Sequence, residues 1–90
     1  MFSLQNIEEM MGYGRTDEAA VQLDAYIEVH TNDDKAYFLR GKLMWRMGKR
    51  RQAMSDYAHA ISINPESPAR QALEQAHDIM AFFNTDLMNP

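Results

Sequence analysis

The sequence predicts an all-α fold: five helices, ordered as two helix–turn–helix units and a closing helix, within one domain of 90 residues. Three observations carry this. Sliding the chain by 34 residues (10 to 44, 14 to 48) lays Met10 on Met44, Gly14 on Gly48, Ala19 on Ala53 and Ile27 on Ile61. The same shift pairs Leu4 with Phe38, Leu23 with Tyr57 and Val29 with Ile63, and self-similarity at such a period marks stacked supersecondary units. Apolar and small residues recur at helical spacing on both sides of the repeated glycine. Finally, Gly 4 and Pro 3 are too few for a loop-rich chain.

The elements follow in order. The first unit is expected to hold helices over 2–12 and 15–30, broken near Gly14. In the second unit, Tyr37, Gly41, Met44 and Gly48 share one face of a helix over 34–47. After the break at Gly48-Lys49, Ala53, Tyr57, Ala60 and Ile61 do the same over 50–63. Asn64-Pro65 closes that helix, because the residue before proline is pushed out of helical geometry. Ser67 is a suitable N-cap with Pro68 at the first helical position, opening a helix over 66–84. Its apolar stripe is Ala69, Ala72, Leu73, Ala76, Ile79, Met80 and Phe83, with Arg70, Gln71, Glu74, Gln75 and Asp78 turned to water. Two units fall short of the roughly three that usually make a stable stack. The long closing helix, or self-association, supplies the missing contact area.

Charge is distributed in blocks. Residues 1–34 hold eight acids against Arg15, a net of −7; residues 35–51 hold seven bases and no acid, a net of +7; residues 52–90 hold five acids against Arg70, a net of −4. Opposite-sign neighbours can fix packing order, and a basic segment can equally serve an acidic peptide or nucleic acid. Cys 0 excludes disulfides, thiolate nucleophiles and cysteine zinc sites. No basic stretch followed by an apolar run opens the chain, and no apolar run approaches the roughly 18–20 residues of a membrane span. A soluble, cytoplasmic protein is expected.

The second unit resembles the tetratricopeptide repeat family, whose pattern W-x2-L-G-x2-Y, A-x3-F, P spans 34 residues. Here it is matched by Tyr37-x2-Arg40-Gly41-x2-Met44, then Ala53-x3-Tyr57, then Pro65. Arg40 and Met44 depart from the pattern. Residues 1–33 form a weaker N-terminal repeat, 34–67 the well-matched one, 68–84 the capping helix and 85–90 a tail. The resemblance implies a short α-solenoid, similar overall to small bacterial two-repeat members with a closing helix. It also implies close helix crossing at Gly41 and Ala53, and a concave face lined by the first helix of each unit.

That expectation directs attention to 34–47. Phe38, Lys42 and Trp45 cluster on one side of a helical wheel, bordered by Lys35, Leu39 and Arg46. Phe38 and Trp45 fit either the core or the floor of a peptide groove, and Trp beside Arg is a pairing enriched at binding hot spots. The candidate partner-binding set is Lys35, Phe38, Leu39, Lys42, Trp45 and Arg46; the candidate self-association set is Phe82, Leu87 and Met88. Family members that clamp a chaperone's C-terminal carboxylate use Lys and Asn at positions held here by Leu4, Glu8, Leu39, Ala69 and Leu73, so that ligand is not expected. Arg40 points inward by its place in the pattern and calls for a carboxylate from Asp24, Glu28 or Asp56.

Catalysis is not expected. His30, His59 and His77 lack metal-ligand spacing. Gly12-Tyr13-Gly14 is no phosphate loop, and Ser55, Asp56 and His59 lack an oxyanion hole. The sequence therefore points to a non-enzymatic module, without cofactor or metal, that binds a peptide or helix of a partner protein. A structural homo-oligomer is the alternative, and nucleic-acid binding through residues 46–51 ranks below both.

Overall fold

The computed structural model describes residues 2–83, the last by its backbone alone. The fold is all-α: α1 (Leu4–Gly12), α2 (Thr16–Val29), α3 (Asp34–Arg46), α4 (Arg50–Ile63) and α5 (Ala69–Phe83). Among the described residues none forms a strand. Each helix packs on the next, most extensively α3 on α4, and α1 also touches α3. The shortest dimension is 18 Å, less than two helix diameters with side chains, so every helix keeps a wet face.

The helices start where side chains satisfy their first amides. Ser3 Oγ accepts from Asn6 N–H at 3.1 Å while Asn6 Oδ1 accepts from Ser3 N–H at 3.2 Å, a reciprocal cap that starts α1 at Leu4 rather than residue 2. Asp33 Oδ1 accepts from Lys35 N–H at 3.1 Å and starts α3. Ser67 Oγ accepts from Ala69 N–H at 3.1 Å, as its sequence position predicts. Glu66 N–H is bound to Asn64 Oδ1 at 3.1 Å in a tight turn, which delays α5 to Ala69 instead of 66. The expected end of that helix at residue 84 lies outside the described residues.

The 34-residue register reappears in the hydrogen bonds. Gly14 and Gly48 have φ of 79° and 80°, the left-handed geometry that costs other residues about 1–2 kcal/mol. At the first turn, Gly14 N–H donates to Met11 O at 3.1 Å and Arg15 N–H to Met10 O at 2.9 Å; at the second, Gly48 N–H donates to Trp45 O at 3.1 Å and Lys49 N–H to Met44 O at 2.9 Å. This paired 5→2 and 6→1 pattern is a Schellman cap. The caps on Asp33 and Ser67 are related by the same shift, so α5 begins in the register of α3.

Ile7, Leu23 and Leu43 are the largest fully buried side chains, surrounded by Ala19, Ala36, Ala53, Ala60 and Ala69. Small residues on α3 and α4 permit close approach. A Cβ added to Gly41 would meet the Tyr57 ring at 2.5 and 2.6 Å and Ala53 O at 3.2 Å.

Candidate binding groove

α3 is buried on more than one side, with Ala36, Tyr37, Leu39, Gly41 and Leu43 all buried. Its remaining arc carries the candidate residues. Lys35, Phe38, Leu39 and Lys42 converge on a groove of about 380 Å³, joined by Leu4 and Glu8 from α1 and by Asn64, Ser67 and Pro68 from the approach to α5. Asp34 completes its end, where its Oδ2 accepts from Asn64 Nδ2 at 3.1 Å. The lining is predominantly apolar, with two ammonium groups at its edge.

Phe38 is half-buried. Its ring lies 6.0 Å from that of Tyr57, tilted by 45°, and Lys42 Nζ sits 5.2 Å from its centroid. Phe38 is thus both a core contact and an accessible surface, joining the two roles its sequence position allows. Leu39 is buried and supplies the floor from beneath. Leu4 and Glu8 are not in the candidate set, Leu4 being read from the sequence as a repeat partner of Phe38 and both as positions lacking a carboxylate clamp. Their relation to Phe38 and Lys42 by the 34-residue shift is the signal that places equivalent side chains beside one another.

Trp45 and Arg46 leave this set. Trp45 lines a separate cavity of about 130 Å³ with Tyr57, Ala72, Gln75, Ala76 and Ile79, and the Arg50 guanidinium lies 4.9 Å from its ring centroid. Arg46 reaches back to α1, where Nη1 donates to Met11 O at 3.1 Å. Of the self-association set, Phe82 is 74% exposed; Leu87 and Met88 lie outside the described residues.

The expected inward arginine is a structural node. Arg40 Nε and Nη2 donate to Asp56 Oδ2 and Oδ1 at 3.0 and 2.9 Å, and Nη1 donates to Asp24 Oδ1 at 3.1 Å. Glu28 is not its partner. The hydrogen bonds to Asp56 raise the guanidinium pKa, against an opposing effect of burial and with further help from the charge of Asp56 and from Asp24. His59 lies against Tyr37 with ring centroids 4.0 Å apart and the rings tilted by 35°. Burial, and then the negative charge of Asp56, push the Tyr57 phenol pKa up.

Comparison with solved structures gives one informative likeness. The solution NMR structure of Bacteroides fragilis protein BF1650 is similar over 99% of this chain and 91% of that one, with a TM-score of 0.85 and 33% sequence identity. The two chains belong to one family. No family model matches this chain, and no curated protein does. The likeness extends over all five helices, including those that form the groove. Among the described residues no helix is long and apolar enough to cross a membrane.

Proposed function

We propose that this protein is a non-catalytic interaction module of tetratricopeptide type, a short α-solenoid that binds a peptide or helix of a partner protein. The groove on α1, α3 and the start of α5 is the observation that carries the reading. Leu4, Phe38 and Pro68 present apolar surface between helices, and Lys35 and Lys42 border it. Concave, mostly apolar sites with a few placed polar groups are where ligands generally bind. The 34-residue register of turns and caps supports the repeat reading, and a cysteine-free chain suits the cytoplasm.

The test is photo-crosslinking in the cell of origin, with a photoreactive residue at position 42 in the groove or at 71 on the outer face of α5. A discrete protein adduct from position 42, absent from 71 and reduced by Phe38→Ala in a variant that still unfolds cooperatively, supports the reading. Equal adducts from both positions, or none from 42, contradict it.

One observation favours self-association as a second reading: α5 exposes Ile79 and Phe82 (38% and 74%). Light scattering over a dilution series separates the two, since a concentration-dependent mass that Phe82→Ser abolishes belongs to an oligomer.

A further inference from the structure

We infer that the partner is an acidic segment carrying one bulky apolar residue, gripped along α3 by Lys35 and Lys42 on either side of Phe38. This rests on the groove reading above and specifies its ligand. The blocks of opposite charge are expected to neutralise one another within the fold, and the ion pairs show how little of that occurs. Arg40 pairs with Asp24 and Asp56. Among the described residues, Lys35, Lys42, Lys49 and Arg51 have no carboxylate within 4.0 Å. The basic segment therefore keeps most of its charge for what lies outside the molecule, and two of those cations edge the apolar groove.

Geometry sets the match. Lys35 and Lys42 are seven residues apart on one helical face, about 10 Å along the axis, with Phe38 between them. Carboxylates four residues apart in an extended strand lie on one face about 13 Å apart, close enough for the two flexible ammonium groups to reach both. An apolar side chain midway between them, on the same face, then falls toward Phe38, Leu4 and Pro68. The α1 wall is unlike this one: Glu8 has no cation within 4.0 Å among the described residues, while the carboxylate of Asp34, at the start of α3 itself, is engaged by Asn64. An acidic side is thus favoured against α3 and disfavoured against α1, which orients the segment in the groove. Residues 1–34, net −7, confine attraction of an acidic partner to the α3 side.

The experiment is selection from a random peptide library displayed on phage, with selected peptides then measured by fluorescence anisotropy. Three forms of the full chain are compared: wild type, Phe38→Ala, and Lys35→Glu/Lys42→Glu, the last altering only exposed side chains. The expected binders carry Asp or Glu flanking a large apolar residue. Their affinity falls roughly tenfold between about 50 and about 300 mM salt and by a similar factor in the double lysine variant. Peptides with Lys in place of the acids should prefer that variant. Uncharged binders that ignore salt and the lysine changes yet lose binding with Phe38→Ala overturn the acidic partner and leave the groove standing. A library that yields no binder overturns both.

Discussion

Arg40 joins three helices through three hydrogen bonds, and its side chain is 26% exposed against 10% for Asp56. Removing it strands a nearly buried carboxylate, so Arg40→Ala should cost about 2–3 kcal/mol, at or below the low end of the roughly 3–5 kcal/mol for breaking a fully buried pair because the site is partly wet. Arg40→Lys should recover little, since a lysine lacks the planar fork that meets Asp56 at both oxygens. Arg40→Met with Asp56→Leu should recover most of the loss; urea denaturation measures all three. That Arg40 points inward was legible from its place in the repeat. Its choice of Asp24 and Asp56 over Glu28 was not, because it depends on the rotation of α2 and α4 about their axes. A second expectation at this scale concerns alkaline pH. The folded protein holds the Tyr57 phenol protonated above the ordinary pKa of 10.0, as burial and the Asp33 hydrogen bond and charge do for Tyr26. Above pH 10 the unfolded chain has therefore lost protons that the folded one retains, and stability falls as pH rises through that range. Tyr57→Phe should flatten the fall, measured as the urea midpoint at successive pH values; a midpoint unchanged above pH 10 in the wild type contradicts this.

At the scale of the elements, crossing distance and turn geometry decide the packing. Gly41→Ala places a methyl against the Tyr57 ring and Ala53 O, and Tyr57 is itself buried. Overpacking costs about 1–3 kcal/mol and outweighs the roughly 1 kcal/mol that alanine gains over glycine in a helix. A net loss of stability is expected by thermal or urea unfolding, partly relieved by Tyr57→Leu; a more stable Gly41→Ala would mean that α3 and α4 do not approach closely there. The five helices were legible because caps, glycines and proline are local signals. The split between Phe38 and Trp45 was not. A helical wheel superimposes residues seven apart but discards the roughly 10 Å between them along the axis. Phe38 consequently meets the α1 side and the start of α5, while Trp45 meets the body of α5.

For the whole molecule, a slab 18 Å thick cannot hide α3 on all sides, and its uncovered arc is where charge and apolar surface coincide. Four of the six candidate partner-binding residues were legible there, since Lys35, Phe38, Leu39 and Lys42 meet in the groove. Leu4 and Glu8 were signalled only by the 34-residue shift, and Pro68 by nothing local, because stacking brings together elements distant in sequence. Whether this groove receives the partner is read by titrating the 15N-labelled protein with a selected peptide and following backbone amides by NMR. The largest shifts are expected at Leu4, Glu8, Lys35, Phe38, Lys42 and Ser67. Shifts centred on Ile79 and Phe82, or spread over the outer faces of α2 and α4 with the groove silent, would contradict that expectation.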